Sequence, residues 1–336
     1  MQKVFFDNRW VRETGIGVLA NQIGTRLSSA GFDLTALRSD APSVGFFAPW
    51  ELLRELHRAG ASHSDIFWNP GFVPLPWSKC RQVVQVHDLI HLHYHSKAHR
   101  SYYNLVFRPM YKKVDRIVTS SEYSKRELCE WAGLAPGRVE VMPLAASALF
   151  HPHGTVVDLG YRFVFYAGNY RTHKNLNRLF AAYASSTLHS QRIRLVVTGN
   201  GNKSLKSLAQ ELGMGEHIVF AGRLSNEDLA AYYRTSMGIC FPSLYEGFGL
   251  PIIEGMASGV PVLTSNATSM PEVAGGCALL IDPMSIESIS AGLDRMVTEN
   301  EERAQLISSG LSHAKHFSWD RSAAQMSRIL RSLGSM

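Results

Sequence analysis

Residues 241–261 read FPSLYEGFGLPIIEGMASGVP and carry two carboxylates, Glu246 and Glu254, with seven residues between them. Glu246 opens a glycine-rich turn through Gly247, Phe248 and Gly249. Pro251 marks a helix start, because proline at the first helical position gives up no intrahelical hydrogen bond and its φ already suits the helix. Glu254 falls about one turn in, and Gly259 with Pro261 closes the segment. The apolar run in front, Met237 to Phe241, reads as a strand. Strand, tight turn and helix N-terminus together turn backbone N–H groups toward an anion, and phosphate is the usual occupant.

Outward from this stretch the same alternation recurs. The second half predicts strands at 162–167, 194–198, 217–221, 261–264 and 278–281. Helices are expected from Leu176, over 205–212 and 227–233, at 270–274, and over 285–299 and 302–314. The first half predicts strands at 4–7, 65–68, 82–86, 116–120 and 139–143. Helical patterns cover 19–27, 51–57 and a segment capped by Ser121 or Ser124. Residues 144–160 have no sustained periodicity and carry Pro152, Gly154 and Gly160, as a linker would. The tail, 319–333, is an amphipathic helix with Ala323, Met326, Ile329 and Leu330 on one stripe. Alternation in both halves implies an α/β protein of two doubly wound domains facing one cleft, 1–150 and 151–316. Gly15 and Gly17, His87, residues 168–174, residues 199–201 and Glu246 all fall at predicted strand C-termini, where such folds bind ligands.

Composition narrows the function. The chain has 336 residues, 45% hydrophobic and 18% charged, with a formal net charge of +6. No Lys/Arg-rich run and no Cys/His finger spacing point to nucleic acid, so acidic small molecules or an anionic membrane surface fit better. Residues 94–116 hold Lys97, Arg100, Arg108, Lys112, Lys113 and Arg116 among tyrosines against one acid, Asp115. Such a stretch reads either as a helix on an anionic bilayer or as a solvated helix face with core tyrosines. Phe46, Phe47, Trp50, Phe67, Trp68, Phe72 and Trp77 lie among prolines in 41–80, as ligand walls or as a loop-packing cluster. Cys80, Cys129, Cys240 and Cys277 are scattered and read as reduced core thiols of a cytoplasmic protein. The N-terminus shows no apolar signal region and no segment reaches the ~20 apolar residues of a membrane span.

The chemistry follows from residue type. Arg171 and Lys174, in the loop before one helix, place two cations near the N–H groups of the 247–249 turn, a pattern suited to a diphosphate. Glu254 can accept both hydroxyls of a ribose and Glu246 those of a sugar; each can also be a helix N-terminal charge favoured by the macrodipole. His87 can hydrogen-bond a substrate hydroxyl or buffer charge at the reacting carbon. Extended alternation would align His91, His93 and His95. No carboxylate or cysteine completes a metal set there, and no D-x-D is present, so no metal is expected.

The segment from Glu246 through Gly249 and Pro251 to Glu254 resembles the E-x7-E signature of retaining glycosyltransferases of family 4, whose fold is GT-B. Thr14 to Gly17 resembles the family's N-terminal glycine turn. The run from His87 to Ile90 is similar to its "HDL" segment, Thr119 to Ser124 to its "T-x-S-x-x-S" run, and Met270 to Val273 to its "S-x-P-E-V" turn. Residues 317–336 resemble its final helix, which crosses back to the N-terminal domain. The resemblance implies that Lys174 and an upstream arginine, here Arg171, bind the donor diphosphate. Gly15, Gly17, Phe248, Gly249 and Leu250 would help bind the donor, Glu254 its ribose, and Glu246 its sugar, with His87 beside the anomeric carbon. The family often has Arg-Lys-Asn where this chain has His173-Lys174-Asn175, a form resembling enzymes that add mannose to bacterial surface polysaccharides. It implies a hexosyltransferase using GDP-mannose, with no cofactor or metal. Its acceptor would be a glycan or lipid-linked glycan, taken up by the N-terminal half at the inner face of the membrane. A nucleotide-sugar epimerase of the same fold and a silent binding protein are the rival readings.

Overall fold

The computed structural model describes residues 2–10, 15–37, 45–298 and 301–334. The chain divides into two compact units, Met1–Leu144 with Ser318–Met336, and Ala145–Phe317.

The first unit runs β1 (Lys3–Asp7), α1 (Gly15–Ser29), β2 (Asp33–Leu37), α2 (Ala48–Arg58), β3 (Ile66–Asn69) and β4 (Arg81–Gln85). Then come α3 (Ile90–Tyr94), α4 (Lys97–Tyr102), α5 (Arg108–Tyr111), β5 (Arg116–Thr119), α6 (Glu122–Ala132) and β6 (Val139–Val141). Its sheet is parallel throughout, in the order β2-β1-β3-β4-β5-β6. All four residues of β3 are buried, as expected where helices cover both faces of a parallel sheet. The sequence reading missed β2, an edge strand whose mixed exposure gives no clean apolar run. The strand order reverses between β1 and β3, so the switch point lies at Asp7 and Asn69, the last residues of those strands.

Three expectations for this unit change. Gly15 and Gly17 do not form a turn before the helix; they are the first turn of α1 itself. Thr14 lies outside the described residues. The basic stretch 94–116 is helical over 97–111 but not throughout. His95 is extended (ψ 174°), Ser96 restarts the chain as the cap of α4 by accepting from the His99 N–H, and a π turn, Tyr103–Phe107, leads into α5. Pro109 in the first turn of α5 has no N–H to continue the α-helical ladder. Tyr103 and Tyr111 belong to the core, whereas Lys97, Arg100, Arg108, Lys112 and Lys113 are exposed. Helix α3 also replaces the extended alternation expected of His91, His93 and His95, so that His91 meets His95 one turn on. Of the two candidate caps for α6, Ser121 fills the role.

The second unit runs β7 (Arg162–Tyr166), α7 (Leu176–Ser185), β8 (Ile193–Val197), α8 (Lys203–Glu211), β9 (Ile218–Phe220) and α9 (Asn226–Thr235). It continues through β10 (Ile239–Phe241), α10 (Leu250–Ala257), β11 (Val262–Ser265), α11 (Met270–Ala274), β12 (Leu279–Ile281), α12 (Ile286–Val297) and α13 (Glu301–Ala314). This sheet is also parallel, ordered β12-β11-β10-β7-β8-β9, with its reversal between β7 and β10. The irregular segment in front of β7 is tied down by Arg234, whose guanidinium donates to the carbonyls of Leu149, His151 and Thr155. The last helix, α14 (Trp319–Gly334), belongs to the first unit and packs along α1. Its stripe of Ala323, Met326, Ile329 and Leu330 is buried, and Ser322 and Gln325 donate to the carbonyls of Pro143 and Val141. Cys80 and Cys240 are core thiols, but Cys129 and Cys277 are only half-buried, which corrects the reading of all four as core. Among the described residues no helix is long and apolar enough to cross a membrane.

Candidate active site

The switch point of the second unit brings two loops together. After β7 the chain reaches Lys174 through a short 3-10 turn, Thr172–Lys174, and Asn175 follows in the left-handed region (φ 63°). Asn175 is buried and its amide donates to the carbonyls of Pro242 and Pro283, which locks the loop against the end of β10. The His173 carbonyl accepts from the Leu244 N–H at 2.7 Å. The Lys174 Nζ therefore arrives 2.6 Å from Glu246 Oε1, with 13% and 14% of the two side chains exposed. The Phe241 ring lies 4.9 Å from the ammonium and supports it from the strand side. Arg171 does not join them: it is exposed and forms no ion pair among the described residues.

Glu246 is held by residues that sequence reasoning did not single out. Its N–H donates to Thr268 Oγ1, and the buried Ser269 hydroxyl is shared between the carbonyls of Glu246 and Phe248. Thr268 has φ 54°, a costly conformation for a β-branched residue, and strain of this kind gathers at functional loops. In that conformation its hydroxyl meets the Glu246 N–H, and no local motif announces it.

Gly249 caps α10 with φ 103°, a conformation glycine adopts without a Cβ clash. The helix starts at Leu250, so Pro251 is its second residue rather than its first. The Phe248 side chain is buried against Phe317, which leaves its backbone as the part able to meet a ligand. Glu254 sits on the second turn of α10. A Cβ on its neighbour Gly255 would come within 2.7 Å of Val262 and 2.8 Å of Ile239, so α10 lies hard against β10 and β11 and Glu254 has little freedom. Tyr233 donates to Glu254 Oε2 at 2.8 Å. Burial raises the Glu254 carboxyl to about 7, and the Tyr233 hydrogen bond only partly offsets that.

In the first unit His87 follows β4, and its Nε2 lies 2.9 Å from the Pro70 carbonyl. Its own carbonyl accepts from the hydroxyls of Ser120 and Ser124, so the serine run after β5 serves as a clamp on this residue. Burial lowers the His87 pKa, against a smaller opposing pull from the Pro70 carbonyl and Asp88, and favours a neutral ring. The neighbouring switch point is filled by Asp7, Arg9 and Asn69, which sequence reasoning left out. Arg9 donates to both Asp7 oxygens, at 2.8 and 3.0 Å, and Asn69 Nδ2 to Asp7 Oδ2 at 3.2 Å.

The aromatic stretch 41–80 divides. Phe67 and Trp68 are core residues of β3 and wall no ligand site. Phe46 and Phe72 do line a pocket of about 360 Å³ with His91, His95, Tyr103 and Phe107. The Tyr103 hydroxyl is buried and meets no partner among the described residues. Among the described residues no three His, Cys, Asp or Glu side chains converge as metal ligands.

Residues 151–313 match the family described as Glycosyl transferases group 1, and residues 15–146 match Glycosyltransferase Family 4. The chain is 30% identical over 278 residues to the O-antigen chain mannosyltransferase B of Escherichia coli, covering 77% of this chain and 72% of that protein. It is 32% identical over 221 residues to the MMP alpha-(1->4)-mannosyltransferase of Mycolicibacterium hassiacum, covering 64% of this chain and 53% of that one. The sucrose-phosphate synthase of Thermosynechococcus elongatus shares the fold over 100% of both chains, with a TM-score of 0.81 at 18% identity.

Proposed function

Because this chain belongs to glycosyltransferase family 4, we propose that it moves mannose from GDP-mannose to a glycan acceptor, with retained anomeric configuration and no need for a divalent metal. Membership sets aside the epimerase and silent-binder readings. The observation that carries the proposal is the contact of Lys174 with Glu246 at the switch point of the second unit. Mannose is supported by the two mannosyltransferase relatives and by the His173-Lys174-Asn175 form of the phosphate loop.

In this structure the ammonium and the carboxylate satisfy each other. A nucleotide sugar offers each a better partner: the diphosphate takes Lys174, and the sugar hydroxyls donate to Glu246. As the bond from the anomeric carbon to the diphosphate breaks, negative charge grows on the leaving oxygen. Lys174, Arg171 and the N–H groups at Gly249 and Leu250 oppose that charge. Leaving phosphate oxygen takes the acceptor's proton, so no side chain need serve as a dedicated base. Glu254 accepts from the ribose, and His87 is assigned to the reacting sugar by the family resemblance. Gly15, exposed at the start of α1, and Gly17, buried just inside it, are kept as donor residues on the family resemblance. The aromatic pocket of about 360 Å³ and the exposed cations of 97–113 support a lipid-linked acceptor at the inner face of the membrane.

A thermal-shift screen against GDP-, UDP-, ADP- and dTDP-sugars tests the donor. GDP-mannose is expected to raise the melting temperature most; a larger shift with a UDP-sugar would overturn that choice. Turnover that survives EDTA supports the metal-free reading, and its loss refutes it. Lys112→Glu with Lys113→Glu should weaken binding to anionic liposomes, and unchanged binding removes the membrane role of that patch.

A further inference from the structure

His87 is held from two sides, and the second side reaches three residues away from the ring. Asp7 and Asn69 are both fully buried at the ends of β1 and β3. Arg9 closes on Asp7 as a bidentate pair, with the two side chains 4% and 0% exposed. A carboxylate only accepts, so it must face the NH₂ end of the Asn69 amide, and the 3.2 Å contact is made by Nδ2. That choice turns Asn69 Oδ1 toward the Gly71 N–H, which donates to it at 2.8 Å. The result is an Asx-type turn around Pro70, whose ring already restricts its own φ. A side chain at Gly71 would have to displace the Trp10 ring, since a Cβ would come within 2.1 Å of it. The corner at 69–71 is thus fixed on every side, and with it the direction of the Pro70 carbonyl.

We propose that Asn69, oriented by the Asp7–Arg9 pair, is a positioning residue that sets the ring orientation and tautomer of His87 through the Pro70 carbonyl. That carbonyl can only accept, so its 2.9 Å contact places the proton on Nε2 and leaves Nδ1 with a lone pair for a hydroxyl donor. Asp88, the neighbouring carboxylate, already accepts from the Ile90 N–H through Oδ1. The bearing of this device on catalysis rests on the assignment of His87 to the reacting sugar; the device itself does not.

The test is nitrogen NMR on the full chain labelled at histidine, with His87→Gln identifying the signal. Wild type should show a neutral His87 with its proton on Nε2. Asn69→Ala should populate the Nδ1–H tautomer and lower kcat for GDP release from GDP-mannose about 10- to 100-fold, with KM little changed. Asn69→Asp alone sets two carboxylates together and should do the same. Adding Asp7→Asn to it exchanges amide and carboxylate, keeps an acceptor for the Gly71 N–H, and should restore the Nε2–H form. Circular dichroism confirms that each variant is folded. An Nε2–H tautomer untouched in folded Asn69→Ala, or no recovery in the folded double variant, overturns the proposal. A tautomer that shifts while kcat stays constant upholds it and instead removes His87 from the reacting sugar.

Discussion

The switch point of the first unit holds Asp7, Arg9 and Asn69 out of solvent, every group hydrogen-bonded to the next. That of the second unit holds Lys174 and Glu246 at 2.6 Å, each still in touch with solvent. Both are ion pairs at the same topological position in a parallel sheet. Their surroundings give them opposite uses. A buried network with every partner filled has nothing to offer a ligand, and opening it would strand charge in a medium of low dielectric. A part-buried pair that still reaches solvent can come apart when a ligand supplies a replacement for each group. The first pair is therefore framework, and the second is the site.

The largest effect expected from this contrast is on stability. Asp7→Ala should leave the Arg9 guanidinium buried without its counter-ion and cost about 3–5 kcal/mol, read from urea unfolding followed in the first unit. A loss below about 1 kcal/mol, typical of exposed pairs, would mean that the Asp7–Arg9 pair is not held as a buried network and would break the comparison.

Next in size is catalysis at the second pair. Lys174→Ala and Glu246→Ala should each lower turnover by about 10²–10³-fold, as removal of a group opposing transition-state charge does. Each should shift the unfolding midpoint far less than Asp7→Ala. The double variant should lose less than the product of the single effects, because the two side chains act on one another. Full additivity in the rate would make the two side chains independent contributors, and destabilisation matching that of Asp7→Ala would assign them to the framework as well.

The same contrast explains what the sequence disclosed. Glycine, proline and carboxylate at fixed spacing were enough to place the Gly249 turn and to put Glu254 in α10, since each has a local physical reason to be there. Strand alternation placed His87, Lys174 and Glu246 at strand C-termini, where they are found. Asp7 was visible only as the end of a strand, because its partners lie at Arg9 and, sixty-two residues on, at Asn69. Thr268 gave no signal, and Ser269 was visible only as the serine of the S-x-P-E-V turn: their contacts with Glu246 depend on how two loops meet. Residues 94–116 were legible as a helical stretch, and 97–111 are helical; composition gave no sign of the extended His95, the cap at Ser96 or the π turn Tyr103–Phe107.

The smallest effect concerns Glu254, which stands between the two kinds of site, packed like framework yet proposed to meet ribose. Its carboxyl is raised from the ordinary 4.5 to about 7 by burial. A carboxyl with a raised pKa binds its proton more tightly in the folded chain than in the unfolded one. Its contribution to stability is therefore most favourable below about pH 4.5 and declines as pH rises through about 7. Ribose hydroxyls donate best to the ionised form, so GDP affinity should move the other way, rising through the same window and levelling above it. One pH unit below the midpoint, that amounts to about a tenfold weakening. Tyr233→Phe removes the hydrogen bond that favours ionisation and should carry the midpoint upward, whereas Glu254→Gln should flatten the profile. Calorimetric titration of GDP across this range separates the cases. A flat wild-type profile would leave Glu254 as a packed helix residue, on the framework side of the comparison.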